Sequence, residues 1–198
     1  MNDIPRWFSG TKDGHSQWYV DRFRQLAAEG ADLAGEARLI DAIASPGSRI
    51  LDAGCGPGRV GAELHARGHT VVGVDVDPVL IAAAVEDHPG PRWLVGDLSR
   101  LDLDEEPFDI AVVAGNVMVF VAPGTEQLVL ESLRRHVRPG GRIVLGFATD
   151  RDLSLDSFDA AAEAAGLVLE QRFATWDLVP FSPEADFAVT FLRVPAAT

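Results

Sequence analysis

Residues 49–59, Arg-Ile-Leu-Asp-Ala-Gly-Cys-Gly-Pro-Gly-Arg, leave the chain few folds to choose from. Ile50, Leu51 and Ala53 form an apolar run of strand length. The run enters a loop with glycine at 54, 56 and 58, and helical spacing begins at Arg59. A strand feeding a turn at a helix N-terminus presents backbone N–H groups and the positive end of the helix dipole to a ligand. Glycine there accepts positive φ and lets a ligand reach the backbone with no Cβ in the way. Such a site suits a carboxylate or a pyrophosphate. A ligand-free turn would require fewer than three alternating glycines.

Two glycine patterns overlap here. Gly54, Gly56 and Gly58 make G-x-G-x-G with Asp52 two residues ahead, and Gly56, Gly58 and Gly61 fit G-x-G-x-x-G, the dinucleotide fingerprint. In its usual register the fingerprint starts right after the strand. Counted from Gly54, its third glycine falls on Arg59, so that register fails. Asp52 would also repel a pyrophosphate.

From Ser48 onward the pattern alternates strand and helix. Strands are expected at 49–53, 70–74, 92–95, 109–114 and 142–147, with helices at 59–67, 78–87 and 125–137. Asp77 reads as an N-cap followed by Pro78 at the first helical position. Asp156 reads as the cap of a helix through Ala165. Two strand-like runs, 167–175 and 187–194, close the chain with no helix between them, so they should pair antiparallel. The sum is an α/β fold with a mostly parallel sheet and one reversed strand. Residues 1–16 read as irregular. Tyr19, Phe23 and Leu26 recur at helical spacing, and a second helix is expected at 35–44. Both precede the first strand, so residues 1–45 read as an N-terminal helical cap on a core of 46–198, together one domain.

Composition narrows the function. The chain has 198 residues, 47% of them hydrophobic, a formal net charge of −13 and a pI near 4.6. A duplex-binding surface needs a basic stripe, and no cluster of Lys and Arg supplies one. Nucleic acid and anionic membrane are therefore disfavoured as partners. Cys55 is the sole cysteine, which rules out an intrachain disulfide. No run of apolar residues has transmembrane length and no signal peptide is visible, so a cytoplasmic location is expected. No metal motif and no G-x-S-x-G occur. Lys12 is the sole lysine, and the bias to Arg and Ala suggests a bacterial genome rich in G and C.

In an open α/β sheet the ligand lies outside the carboxyl ends of the strands. Asp52, Asp75, Asp97 and Asn116 all fall at or just past those ends. Asp75 follows an apolar strand 21 positions after Gly54, the spacing at which an acid grips a ribose diol. Asp97 could equally cap a turn.

Residues 51–59 resemble motif I of the class I S-adenosylmethionine-dependent methyltransferases, D-x-G-x-G-x-G. Further stretches in order strengthen the resemblance: Val74-Asp75-Val76-Asp77, Gly96-Asp97-Leu98, residues 108–113, and Arg138-Pro139-Gly140-Gly141-Arg142. The resemblance implies a Rossmann-like seven-stranded sheet in the order 3-2-1-4-5-7-6 with the last strand antiparallel, and S-adenosyl-L-methionine as cofactor. It implies that Asp75 holds the ribose hydroxyls and that Val76, Asp97 and Leu98 surround the adenine. Asp52, Gly54, Cys55, Gly56 and Gly58 would meet the methionyl part, and Asn116 is counted with the cofactor contacts as well. Gly115-Asn116-Val117 departs from the motif of enzymes that methylate base amino groups. The expected acceptor is a small organic molecule, methylated by direct displacement, and a homodimer is left open. His15, Tyr19 and Asn116 are the candidate catalytic residues, with His15 the only histidine nominated as a base. Trp18 and Tyr19 are expected near the methyl group and Trp176 at the far side. Two alternatives stand beside this: an NAD(P)-dependent reductase, and a non-catalytic relative that only binds the cofactor.

Overall fold

In the computed structural model, which describes residues 4–196, a seven-stranded sheet runs in the order β3-β2-β1-β4-β5-β7-β6. Residues 1–3 of the expected cap and 197–198 of the expected core lie outside the described residues. The parallel strands are β1 (Arg49–Ala53), β2 (Thr70–Asp75), β3 (Arg92–Val95), β4 (Phe108–Val113) and β5 (Val137–Ala148). β6 (Val168–Phe173) pairs antiparallel with β7 (Phe187–Arg193), and β7 pairs antiparallel with β5. Order and strand directions match the expectation.

The pleat assigns alternate residues of each strand to opposite cores. Leu51, Val72, Ala111, Ile143 and Leu145 face one side, where α7 (Glu126–His136) and α8 (Leu155–Ala164) cover them. Ile50, Val71, Ile110, Val112 and Val144 face the other, under α3 (Gly35–Ile43) and α4 (Arg59–Ala66). Near-continuous apolar strands follow from this two-sided burial. Asp52 breaks the run on the second face.

α5 (Pro78–Asp87) starts as expected, with Asp77 Oδ1 accepting from Val79 N at 2.8 Å. Four local readings need correction. Residues 1–16 are not all irregular: α1 (Arg6–Ser9) forms, and α2 (His15–Ala28) begins at His15. A further short helix, α6 (Val117–Phe120), follows β4, entered through Asn116 at φ 67°. β5 begins at Val137, directly off α7, and a register shift accommodates the Pro139-Gly140-Gly141 stretch. Ser154 rather than Asp156 caps α8, because its hydroxyl is placed to accept from Ser157 N.

The cap is pinned by apolar contacts and charge. Val20 of α2 packs with Leu80 and Ala83 of α5. Arg24 forms ion pairs with Glu86 and Asp87 beside them.

Gly73 of β2 is fixed by its neighbour. A Cβ there would stand 2.2 Å from the Trp93 ring. Overpacking of a tight site costs about 1–3 kcal/mol. Gly73→Ala should therefore lower the unfolding free energy by that amount, read as a lower urea midpoint with an unchanged slope. Trp93→Leu in the same chain should recover part of it.

Candidate functional site

The crevice lies where the order of strands reverses, between the C-terminal ends of β1 and β4, as ligand sites in open sheets do. It holds about 830 Å³ of space, part of it open to solvent. Its floor is the loop after β1 and its walls are the ends of β2, β3 and β4. Asp52, Gly54, Cys55, Gly56, Asp75, Val76, Asp97 and Leu98 all line it. The residues singled out for the cofactor thus meet in one place, with the exceptions of Gly58 and Asn116.

The three loop glycines have different jobs. All have positive φ. A Cβ on Gly54 would stand 2.3 Å from Val117, so this glycine is required by the packing of α6. A Cβ on Gly58 would press on Ala84 and Trp93 at 3.0 Å, so this one seats α4 against its neighbours. Gly56, at φ 55°, alone lines the crevice with room ahead of it: a Cβ would meet only Tyr19 Cε1, at 3.7 Å. That is the backbone a ligand can approach.

Two buried carboxylates flank the loop. Asp52 is 1% exposed, and its Oδ2 accepts from Gly61 N at 2.8 Å at the start of α4. Burial pushes its carboxyl up to about 7, against the Gly61 bond. Asp75 is 9% exposed; Oδ2 accepts from Gly56 N and Oδ1 from Asp77 N, each at 2.9 Å. Burial raises it to about 6, partly offset by these backbone bonds. Each bonded oxygen keeps a second lone pair.

The roof comes from the cap and from α6. Trp7, Tyr19, Phe23 and Phe120 line it. The Trp7 ring stands edge-on to Tyr19 at 5.4 Å and to Phe120 at 5.6 Å. The Tyr19 hydroxyl makes no hydrogen bond among the described residues, and burial raises its pKa. Arg59 also lines the crevice, but Leu33 O and the Glu36 carboxylate take its guanidinium. Burial works against ionising Glu36, yet the hydrogen bond and charge of Arg59 hold its carboxyl below the ordinary value.

Comparison with known proteins gives the geometry a family. A profile described as "Methyltransferase domain" matches residues 50–141. A solved TehB-like S-adenosylmethionine-dependent methyltransferase from Corynebacterium glutamicum is 46% identical, with a TM-score of 0.88 over 92% of this chain and 99% of that one. The chain belongs to the class I S-adenosylmethionine-dependent methyltransferases. A malonyl-[acyl-carrier protein] O-methyltransferase from Pectobacterium atrosepticum is 33% identical over 75% of this chain and 55% of its own. A magnesium-protoporphyrin O-methyltransferase from Rhodobacter capsulatus is 33% identical over 59% of this chain and 54% of its own. The chain thus spans about half the length of the curated relatives it matches.

The methyltransferase crevice fits the family's cofactor, S-adenosylmethionine, on its own chemistry. A bare glycine backbone at Gly56 and two carboxylates with spare lone pairs suit an ammonium and a diol. Among the described residues no group of His, Cys, Asp and Glu could hold a metal ion.

The acceptor-side readings fare differently. Tyr19 lines the crevice. His15 does not: its ring packs against Trp7 at 4.8 Å and stacks on Trp18 at 5.3 Å. Trp18 is 54% exposed and lies outside the lining. Asn116 turns away, its Oδ1 accepting from Ala148 N at 2.7 Å to tie the β4 end to β5. Trp176 packs on Gly146 on the face covered by α3 and α4 and is not among the residues that line the crevice. Asp97 Oδ1 caps its own turn, accepting from Ser99 N at 2.9 Å and Ser99 Oγ at 2.8 Å. Sequence reasoning missed Trp7, Phe120 and Arg59. Trp7 sits in a stretch without periodicity, and Phe120 reads as core.

Two measurements check this site. In Gly56→Ala the Cβ meets no backbone, and an alanine at positive φ costs about 1–2 kcal/mol. The fold should survive, while affinity for S-adenosylhomocysteine should fall at least about 10-fold, by calorimetric titration.

The pH dependence follows from Asp52 and Asp75. Their folded pKa values stand above the ordinary 3.8, so between about 4 and 7 the folded state binds more protons than the unfolded. Stability of the empty protein should fall as pH rises through that window. An ammonium placed near Asp52 and hydroxyls placed on Asp75 would favour the ionised forms, so binding in that orientation should release protons. Affinity for S-adenosylhomocysteine should rise with pH to about 7 and then level. Calorimetry near pH ~6.5 in buffers of different ionisation enthalpy reads the released protons directly.

Proposed function

We propose that the protein transfers a methyl group from S-adenosylmethionine to a small organic acceptor that carries no net negative charge. The observation that supports it is the division of one crevice into an acidic, glycine-floored half and an aromatic half. When bound, the cofactor supplies an electrophilic methyl group on a sulfonium.

Asp75 would hold the ribose hydroxyls by charge-assisted bonds. Asp52 would face the ammonium, and Val76, Asp97 and Leu98 the adenine. Trp7, Phe23 and Phe120 exclude water and confine the acceptor, which aligns it without chemistry by the protein. The Tyr19 hydroxyl, unpartnered and kept protonated by its raised pKa, is the polar group that orients it. His15 supports Trp7 from behind, and we withdraw it as a base. The acceptor therefore arrives as a nucleophile in its own right.

The absence of negative charge follows from Arg59, the cation of the lining, whose guanidinium Glu36 neutralises. The Pectobacterium relative is named for O-methylation of a malonyl group on a carrier protein; an acceptor of that charge would find no open cation here. A formal net charge of −13 also disfavours polyanions.

The reading is tested by following S-adenosylhomocysteine formation over a panel of amines, thiols, phenols and carboxylic acids. Turnover should appear with a neutral class. Binding without turnover of any class would leave only the non-catalytic reading. With the acceptor found, Tyr19→Phe should lower kcat/KM about 3- to 10-fold, the worth of one hydrogen bond, with affinity for S-adenosylhomocysteine unchanged.

A further inference from the structure

Residues 6 and 7 are neighbours in sequence but are pinned to opposite banks of the crevice. Arg6 reaches the bank beyond β4: its Nη1 donates to Val121 O at 3.4 Å and to Glu126 Oε1 at 3.3 Å, and its backbone N–H also points at Val121 O at 3.4 Å. Trp7 reaches the bank beyond β2, where Nε1 donates to Asp77 Oδ2 at 2.7 Å. Ser16 Oγ, in the first turn of α2, donates to the same oxygen. Pro5 and Trp7 roof the space between.

Asp77 is 1% exposed and divides its oxygens cleanly. Oδ1 caps α5 through Val79 N. Oδ2 bonds only to the N-terminal segment. A helix start needs the first bond and not the second. The second therefore has another use, and its partners are a roof residue and the foot of the helix that carries Tyr19. The Asp77 backbone N–H, in turn, donates to Asp75 Oδ1, so the anchor stands beside the carboxylate assigned to the ribose.

We propose that Asp77 is a positioning residue for methyl transfer: its Oδ2 latches Trp7 and Ser16 and so holds residues 5–16 as a strap across the crevice, which must release before the cofactor passes. The inference rests on the proposed placement of cofactor and roof. The latch is made with the crevice empty, so it opposes opening before binding as well as after it. Its loss should speed association and dissociation together and leave Kd nearly unchanged. Simple structural damage would slow the first and speed the second.

The chain supplies its own reporter. Lys12 is the sole lysine and lies exposed between α1 and α2, so endoproteinase Lys-C cuts only in the strap. Trp7→Phe keeps the ring and removes the N–H. Asp77→Asn keeps an oxygen for the α5 cap and removes the charge. In the full-length chain each should raise the Lys-C cleavage rate about 10- to 100-fold, as expected for losing a hydrogen bond to a charged acceptor. Stopped-flow binding of S-adenosylhomocysteine should show both rate constants raised by similar factors. The double variant should be little faster than either single one, because both remove the same bond. Wild-type cleavage and binding rates in Trp7→Phe, or opposite movement of the two rate constants in both variants, would overturn the latch. These readouts need no acceptor. A panel without turnover would remove the transfer reading and leave the latch, whereas wild-type rates in Trp7→Phe would do the reverse.

Discussion

The Asp75 carboxylate joins the parts that make a site of this fold. One oxygen takes the N–H of Gly56, in the loop after β1, and the other takes the N–H of Asp77, at the head of α5. The glycine loop and the second helix are thereby set against each other at the end of β2. Gly56 is free to line the crevice because its N–H is already satisfied beneath it. Asp77, held in place, can lend its side chain to the roof. Floor, wall and roof share one buried carboxylate.

Burial of this kind costs stability. Asp52 and Asp75 stand among apolar strands with backbone N–H groups as their partners and with pKa values raised. A buried acid that is only partly compensated is a poor way to hold a sheet together. It is a good way to attract an ammonium or a diol, because each supplies what the protein withholds. The apolar strands around them carry the stability, and the acids stand at the C-terminal ends of β1 and β2, still within the sheet. Ion pairs elsewhere serve the cap: Arg24 ties α2 to α5, and Arg59 with Glu36 ties α3 to α4.

The floor was legible in the sequence and the roof was not. Strand, glycine loop and helix follow each other within 49–66, so local pattern places the floor. Asp75 and Asp97 end apolar strands, and the fold brings strand ends together whatever the loops do. The roof depends on contacts between residues such as Trp7 and Phe120, or Trp7 and Asp77, whose separation in sequence leaves no periodic trace. α1 is a single turn held by Arg6, with no amphipathic period to announce it. Aromatic content alone misdirected the reading toward Trp18 and Trp176, because exposure and face are decided by packing. Asn116 illustrates the same limit: its position past β4 was read correctly, but its side chain serves the backbone of Ala148. Even the glycines were legible only in part, since Gly54 and Gly58 answer to Val117 and Trp93 rather than to a ligand.

This division fits the chemistry. Methyl transfer from a sulfonium asks little of a protein beyond holding two reactants in line and keeping water out. The common half of the reaction can be met by a floor that local sequence encodes. The half that differs between acceptors falls to segments outside the alternating core, here α1, α2 and α6. In this protein those segments contribute rings and one unpartnered hydroxyl at Tyr19, while Arg59 of α4, the cation of the lining, is held by Glu36. On the proposed reading an acceptor is chosen by shape and by a single polar contact. Selection by so few groups is effective only if the rings hold their places. Trp7 touches Tyr19 and Phe120 and is itself held by Asp77, so the proposed selectivity of the roof and its proposed closure rest on the same bond.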